Sequence, residues 1–388
     1  MDTTRHDISN YVGNADEFPI LRHWDFFNHA GVSPLPRCGA DALREFAAQY
    51  ETRAYLDAGF YKRVDRLRES AAAMLNCDRA EIAFVKNTSE GIATVAAGLD
   101  WNAGDRIVTT AVEYPANMYP WMDLARRLGL ELVTVPEVDL PDGGRGVEVG
   151  RILEAAEHPR TRLVALSHVE YASGQRLDIA TVGRFCRGRA ILFCVDAIQS
   201  MGVLPLDVRA MNIDYLSADG HKWLLGPEGA GVFYCRRELL ATTRPLAIGW
   251  MNVTNDQDYG HYDLTLKDDA RRFECGTHNL PGLLAFKASL ELLQSLGVAA
   301  IGAQLKMLTD RLIAGLRDKG YDVVSPRAGE SWSGIVSFTS RTHDHAAVAR
   351  ELRTKHRTEI ALREGRMRVS PHLYNTAEQI DRLLANLP

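Results

Sequence analysis

Strand-like and helical segments alternate between about residues 80 and 236, and this alternation limits the fold more than any other feature of the sequence. Short apolar runs predict strands at 82–85, 106–110, 132–135, 163–167, 191–195, 215–217 and 231–235. Amphipathic runs near 89–98, 117–128, 148–156 and 178–187 predict helices between them. Such alternation is typical of an α/β layer with a mostly parallel sheet of seven strands.

The chain has 388 residues, which exceeds the usual limit for one hydrophobic core, so we expect two domains. We predict an N-terminal segment (1–35) packing on the smaller domain, a large domain (36–270) and a small α+β domain (271–388). Helical patterns near 37–53, 58–75, 281–296, 299–319, 344–355 and 377–386 and a strand at 334–338 complete the prediction. Thr376 and Gln379 have the spacing of a capping box for the last helix.

Composition and charge exclude several classes of partner. The formal net charge is −5 and no basic stripe is present, so nucleic acid and anionic membranes are poor candidates. The N-terminus lacks an apolar signal core and no apolar run is long enough to span a bilayer, which predicts a cytoplasmic protein. The six cysteines are scattered without a CxxC pair, so we expect no disulfide framework and no metal site.

Lys222 and Asp196 are the candidate catalytic residues. Lys222 precedes a Gly-rich turn, and Asp196 ends a predicted strand 222 − 196 = 26 positions earlier. Pyridoxal 5'-phosphate (PLP) needs this pair, because its aldehyde forms a Schiff base with a lysine and its pyridine nitrogen is kept protonated by a carboxylate. Gln199 lies one turn on and could reach the ring edge or the phenolic oxygen. Each residue alone also has a structural interpretation: Lys222 could be an ordinary surface lysine, and Asp196 could cap the helix that follows it.

Three further positions have a structural and a functional interpretation. Thr88 and Ser89 precede an apolar helix, where they fit either a plain N-cap or a phosphate site. Tyr114 follows a strand and could pack in the core or against a cofactor face. Arg368 alternates with apolar neighbours, so it fits a solvated strand edge or a clamp on a substrate carboxylate.

Motifs of other enzyme classes are missing. The sequence has no GxGxxG signature after a strand, no GxxxxGK[ST] loop and no HExxH helix. It also has no GxSxG elbow, so a serine hydrolase has no support.

Three motifs together resemble the class V aminotransferase family: VDAIQ at 195–199, DGHKW at 219–223 and RFECGT at 272–277. The resemblance extends from 27–31 to 368–376, nearly the whole chain. That family has PLP fold type I and includes cysteine desulfurases, selenocysteine lyases, kynureninase-like enzymes and isopenicillin N epimerase-like proteins. The resemblance therefore implies PLP fold type I and a PLP cofactor.

The resemblance also implies roles for individual residues. Lys222 would be the Schiff-base lysine, Asp196 the partner of the pyridinium and Gln199 a contact of the phenolic oxygen. Phosphate contacts would come from Thr88, Ser89 and His221. Thr277 would reach the phosphate of a neighbouring subunit, which implies a homodimer with shared sites. Substrate binding would fall to Arg368, which takes the α-carboxylate, and to Asn28 and His29.

Departures from the desulfurase pattern are equally informative. Tyr114 stands at the ring-stacking position that is usually His, and Tyr171 replaces an Asn near the phenolic oxygen. Asp219 replaces a phosphate-binding Ser, so we expect Asp219 to point away from the phosphate and Ser217 to help instead. The stretch 358–367 is short and lacks the cysteine that takes up sulfur in desulfurases, which argues against persulfide formation.

We therefore expect a class V aminotransferase that acts on an amino acid or amine. A second hypothesis is elimination by a C–S lyase or desulfurase-like enzyme, or epimerisation, without a persulfide cysteine. A third is a non-enzymatic binding module, which the presence of Lys222, Asp196 and Arg368 disfavours because binding alone needs no base.

Overall fold

A seven-stranded sheet lies at the centre of the computed structural model, which describes residues 6–141 and 143–388. The strands are β1 (Asp25–Phe26), β2 (Ile82–Val85), β3 (Arg106–Thr110), β4 (Glu131–Val135), β5 (Val138–Asp139), β6 (Arg145–Gly146), β7 (Thr161–Ser167), β8 (Leu192–Asp196), β9 (Tyr215–Asp219), β10 (Gly231–Cys235), β11 (Asp322–Val323), β12 (Val336–Thr339), β13 (Thr358–Glu359), β14 (Ala361–Arg363) and β15 (Arg366–Val369). The α-helices are α1 (Arg37–Arg53), α2 (Phe60–Leu75), α3 (Thr88–Gly98), α4 (Tyr119–Leu128), α5 (Val149–Ala156), α6 (Ile179–Gly188), α7 (Leu280–Leu296), α8 (Val298–Asp318), α9 (His345–His356) and α10 (Ala377–Asn386).

The central sheet has the order β2-β10-β9-β8-β7-β3-β4. Strand β10 is antiparallel to both of its neighbours, and the other pairs are parallel. Strands β2, β9 and β10 are buried along their whole length, which explains why the sequence shows continuous apolar runs there. All seven predicted strands and the helices between them are present, so the predicted α/β architecture is confirmed.

A second, antiparallel sheet has the order β11-β12-β15-β14. Its apolar face packs with α8, α9 and α10 in a separate core that includes Leu312, Phe338 and Met367. Strand β1 pairs in parallel with β13, and Phe27 joins this same core. Helix α7 instead belongs to the core of the central sheet. The boundaries at 35 and 270 stay predictions. The predicted capping box between Thr376 and Gln379 is confirmed.

The carboxyl ends of the parallel strands bring polar side chains to one edge of the central sheet. Strand β8 ends at Asp196 and strand β9 ends at Asp219. The two strands are neighbours in the sheet. Helix α3 begins close to β9 because residue 91 is glycine, where a Cβ atom would lie 2.2 Å from Oγ of Ser217. Ligands bind beyond this edge in open α/β sheets, so the fold places a site there.

Among the described residues, no single helix is long and apolar enough to cross a membrane, although α7 and α8 would have such a length and composition as a pair bent by 82°. These residues also contain no group of three His, Cys, Asp or Glu side chains placed to hold a metal ion.

Candidate active site

A cavity of about 570 Å³ opens at the carboxyl edge of the central sheet. Residues of β8, β9, the start of α3 and the β14–β15 hairpin line it. The structure brings nine of the predicted site residues into its wall: Asn28, Thr88, Ser89, Tyr114, Asp196, Gln199, His221, Lys222 and Arg368. The residues predicted from separate motifs therefore form one site.

Lys222 lies three residues after the end of β9 and is only 7% exposed. Its carbonyl oxygen is fixed by the hydroxyl of Ser33, which donates to it at 2.6 Å. Burial lowers the pKa of the amine to about 8, and the carboxylate of Asp196 opposes this shift. Nζ lies 5.2 Å from the centre of the Tyr114 ring. Lys222 is thus a desolvated amine that is far easier to deprotonate than an ordinary lysine.

Asp196 has one carboxylate oxygen without a partner. Oδ1 accepts the backbone N–H of Ile198 at 2.9 Å, whereas the buried Oδ2 has no hydrogen-bond partner among the described residues. Burial raises the pKa of this carboxyl to about 6, while the Ile198 N–H and Lys222 act in the opposite direction. A cationic N–H donor placed at Oδ2 would satisfy the oxygen and favour the ionised carboxylate.

Gln199 is held by two contacts beside Asp196. Its Nε2 donates to the carbonyl oxygen of Ala30 at 3.1 Å, and its Oε1 accepts from the indole of Trp223 at 2.8 Å. Because an amide nitrogen has two N–H groups, one donor remains for a ligand in the cavity.

The start of α3 forms an anion-binding corner of the cavity. Asn87 caps the helix by accepting the N–H of Glu90 at 3.0 Å. First-turn amides of a helix lack intrahelical partners and carry a partial positive charge, so Thr88 and Ser89 suit a phosphate. His221 lines the same cavity.

Asp219 and Ser217 do not lie where the sequence predicted. Asp219 lines the cavity, its Oδ1 has no partner among the described residues, and its Oδ2 lies 2.9 Å from Nδ1 of His221. Ser217 instead donates to the carbonyl oxygen of Thr88 at 3.3 Å. The expectation was wrong: Asp219 lines the cavity, whereas Ser217 lies against the start of α3, where a Cβ atom at Gly91 would be 2.2 Å from its Oγ.

Arg368 is buried in the cavity wall with unused donor capacity. Nη1 donates to the carbonyl oxygen of Tyr171 at 2.7 Å, and Nη2 lies 3.5 Å from Oδ1 of Asn28. Nε is buried and has no partner within the described part of the chain. Burial lowers the pKa of this guanidinium to about 9, and Arg363 adds to that effect. An incoming carboxylate would favour the charged form of Arg368 and accept a hydrogen bond from the free donor.

His29 lies outside the cavity, contrary to the expectation that it binds substrate. Its ring is fully buried, with Nδ1 at 2.8 Å from the carbonyl oxygen of Ser370 and Nε2 at 2.5 Å from the hydroxyl of Tyr374. Asn28 forms a β-bridge with Ser370, so the backbone is extended here. Neighbouring side chains of an extended chain point in opposite directions, which turns His29 inward when Asn28 faces the cavity.

Thr277 also lies apart from this cavity. It lines a smaller cavity of about 220 Å³ together with Lys86 and His278. Within one chain it therefore does not join the other candidate phosphate contacts. Its predicted reach into a neighbouring subunit stays a prediction.

Two residues that had no predicted role, Arg363 and Glu228, also line the cavity. Tyr171, which was expected near the phenolic oxygen, lines it too, with its ring centre 5.2 Å from that of Tyr114. Beneath the wall, Glu113 accepts both the N–H and the hydroxyl of Ser167 at 2.6 Å. Burial raises the pKa of Glu113 to about 8. The position of Glu113 at a strand end was the available signal for it.

These features fit PLP. The unpartnered oxygen of Asp196 suits a protonated pyridine nitrogen, and the start of α3 suits a phosphate. Lys222 supplies an amine in the same cavity, and Tyr114 presents an aromatic ring. One feature is unfavourable, because Asp219 brings a carboxylate to the phosphate corner.

Comparisons with known proteins agree with this assignment. The model of the aminotransferase class-V family matches residues 26–383. A probable cysteine desulfurase of Methanothermobacter thermautotrophicus is 32% identical, with 95% of this chain and 94% of that protein covered. The isopenicillin N epimerase of Streptomyces clavuligerus is 30% identical, with 92% of each covered.

Solved structures of the cystine C–S lyase C-DES are similar to the whole fold. A lysine-to-alanine variant of C-DES with glycine covalently linked to its PLP cofactor gives a TM-score of 0.88 at 27% identity, covering 96% of this chain and 98% of that one. The complex of C-DES with its product, cysteine persulfide, gives 0.86 at 28% identity, covering 95% and 98%. The predicted PLP fold type I and the PLP cofactor are thereby confirmed.

Proposed function

The chain belongs to the class V aminotransferase family of PLP-dependent enzymes, and from this we propose that it transfers the amino group of an amino acid or amine. The observation that carries the proposal is the buried amine of Lys222 in one cavity with the unpartnered oxygen of Asp196. When bound, PLP supplies an aldehyde that links covalently to amines and a ring that accepts the electron pair left at the α-carbon.

Lys222 is proposed as both the attachment point of the cofactor and the base. Because burial lowers the pKa of this amine to about 8, a useful fraction is neutral near pH 7. With PLP bound and Nζ free, Lys222 would be placed to remove the proton from the substrate α-carbon and to hold it for return. The cofactor would supply the carbon that accepts the proton in transamination, and water would then release the keto product by hydrolysis.

Arg368 and Asn28 are proposed to orient the substrate. The free Nε of Arg368 needs an acceptor, and an α-carboxylate supplies one in an ion pair. Nη2 of Arg368 lies 3.5 Å from Oδ1 of Asn28, and both residues line the cavity. Fixing the carboxylate there restricts which α-substituent can face Lys222.

Elimination by a C–S lyase is the second candidate, and its support is the similarity to C-DES. Similarity to relatives named as cysteine desulfurases also favours a persulfide-forming desulfurase, but the cavity and the β14–β15 hairpin argue against it. Among the described residues, no cysteine lines the cavity. Only two residues, Glu364 and Gly365, separate β14 from β15. Their positive φ angles of 48° and 72° fit a two-residue hairpin turn, which leaves no room for a cysteine-bearing loop.

A stoichiometric reaction separates the two candidates. PLP-loaded protein is mixed with one equivalent of an amino acid, and the products are identified by mass spectrometry. Transamination predicts a keto acid and pyridoxamine phosphate in equal amounts. Elimination instead predicts pyruvate and ammonia, with sulfide from cysteine or cysteine persulfide from cystine, and leaves the cofactor as PLP; these products would contradict transamination.

We also propose a homodimer. Apolar side chains are exposed at the α1–α2 connection and in the segment after β10, including Tyr55, Leu56 and Ile248. Tyr61 near the start of α2 and Trp250 after β10 line one cavity with His278, the neighbour of Thr277. A patch of this kind is typical of an interface, which sedimentation velocity would detect as a dimer. The cytoplasmic location stays a prediction that cell fractionation would test.

A further inference from the structure

Three arginines of the β14–β15 hairpin project from the same face of the second sheet. Arg363 pairs directly with Arg366, and Ala361 pairs with Arg368. Because alternate residues of a strand share a face, Arg363 is the diagonal neighbour of Arg368 on that face. Diagonal neighbours of this kind have Cβ atoms roughly 7 Å apart, which is within reach of long side chains.

Only two of these three charges are available in the cavity. Arg366 is neutralised by Glu137, with contacts of 3.1 and 2.6 Å. Arg363 and Arg368, in contrast, both line the cavity of the active site. They therefore form a pair of like charges facing the same ligand space.

Arg363 has no carboxylate partner among the described residues. Its Nη1 donates to the carbonyl oxygen of Leu362 at 2.7 Å, and it forms no ion pair with Asp196, Asp219 or Glu228, the carboxylates of the cavity wall. Adjacent Glu364 is occupied, because it accepts the hydroxyl of Tyr171 at 2.9 Å. The charge of Arg363 thus remains open to a ligand.

The environment of Arg368 shows that the two arginines act on one another. Burial lowers the pKa of Arg368, and the charge of Arg363 lowers it further. The charge of Arg363 also contributes to the lowered pKa of Lys222. A ligand with a single carboxylate would neutralise Arg368 and leave the second positive charge in place. A ligand with two anionic groups would neutralise both.

We propose that Arg363 binds a second anionic group of the substrate, so that the site prefers an acidic amino acid. Arg368 takes the α-carboxylate, and Arg363 takes a side-chain carboxylate two or three carbon atoms away. This inference rests on the proposed function, in which Arg368 holds the α-carboxylate. Arg363 is then the residue that determines the specificity of the site.

Binding of non-reactive acids to PLP-loaded protein tests the inference without catalysis. Succinate and butyrate have the same number of carbons but differ in one carboxylate, and isothermal titration calorimetry measures both. The expected result is tighter binding of succinate by wild type, and a loss of roughly 10- to 100-fold for succinate alone in Arg363→Gln. Arg363→Lys, which keeps the charge, should retain part of the preference.

Arg366→Gln is the matched control, because Arg366 is on the same face but does not line the cavity. It should bind succinate as wild type does. Equal succinate affinity in wild type and Arg363→Gln would overturn the inference, and so would an equal loss in Arg366→Gln. If Arg363→Gln does not fold, the wild-type preference for succinate over butyrate decides alone.

A reaction screen separates failure of this inference from failure of the proposed function. Conversion of L-asparagine and L-glutamine as fast as L-aspartate and L-glutamate would overturn the acidic subsite and leave transamination intact. Preferential binding of succinate that depends on Arg363, without conversion of any amino acid, would support the subsite and refute transamination.

Discussion

The pH dependence of cofactor attachment follows directly from the burial of Lys222. The pKa of an ordinary lysine is 10.5, and burial lowers that of Lys222 to about 8. At pH 7 about one molecule in eleven then carries a neutral amine, compared with roughly one in three thousand for an ordinary lysine. Since only the neutral amine attacks an aldehyde, the cofactor-free protein should react roughly 300-fold faster than a free lysine side chain would at that pH.

Stopped-flow mixing of cofactor-free protein with PLP measures this rate through the absorbance at about 420 nm. The rate should rise tenfold per pH unit up to about pH 8 and then level off. Nα-acetyl-lysine, followed in parallel, corrects for the ionisation of PLP itself, and its rate should keep rising to beyond pH 10. A protein rate that parallels the acetyl-lysine rate across this range would refute the reasoning.

Two variants should move the midpoint of this pH–rate profile, which reports the pKa of Lys222, in opposite directions. Asp196 raises the pKa of Lys222, so Asp196→Asn should shift the midpoint to lower pH. Arg368 lowers that pKa, so Arg368→Gln should shift the midpoint to higher pH. Shifts of the same sign in both variants would mean that the two charges do not act on Lys222.

The remaining predictions concern charge and assembly. Asp219→Asn removes an anion from the phosphate corner, so equilibrium dialysis should show PLP bound roughly tenfold more tightly; weaker binding would mean that Asp219 holds the cofactor. Glu274→Gln deprives the buried Arg68 of its charge partner at 2.7 Å and should lower the free energy of unfolding by about 3 kcal/mol in urea titrations. Asp381→Asn breaks the exposed ion pair with Arg311 and should lower the free energy of unfolding by less than about 1 kcal/mol. Equal losses of stability in Glu274→Gln and Asp381→Asn would refute the distinction between buried and exposed pairs. Thr277→Ala should weaken PLP retention in the dimer although Thr277 is outside the cavity of its own chain, and unchanged retention would remove the shared-site proposal.

Periodicity predicted the architecture well because most strands of the central sheet are buried on both faces. Strands β2, β3 and β10 begin and end at the predicted residues. Strand β9 was predicted two residues too short, since its end is the polar Asp219 and apolar character was the only signal used. Asp219 was misplaced for a different reason: its expected position assumed that a carboxylate avoids the phosphate site, whereas Asp219 lines the cavity.

Site residues that belong to a recognisable motif were predicted from the sequence. Residues whose position depends on strand pairing were missed or misplaced. Lys222 and Asp196 come from neighbouring strands, so their proximity follows from a parallel sheet. Arg363 was overlooked because 358–367 was treated as a loop. A Gly at the second position of a two-residue turn, with alternating residues on both sides, would have predicted the hairpin and placed Arg363 beside Arg368. The inward position of His29 depends on a bridge to Ser370, some 340 residues away, which no local pattern predicts.

The attachment point of the cofactor is the central claim, and reductive trapping tests it most directly. PLP-loaded protein is treated with borohydride, digested and analysed by mass spectrometry, with Lys222→Ala as the control. A single reduced pyridoxyl group on the peptide that contains Lys222, absent from the variant, is the predicted result. A pyridoxyl group on another lysine of the wild-type protein, or none after incubation with excess PLP, would contradict the account.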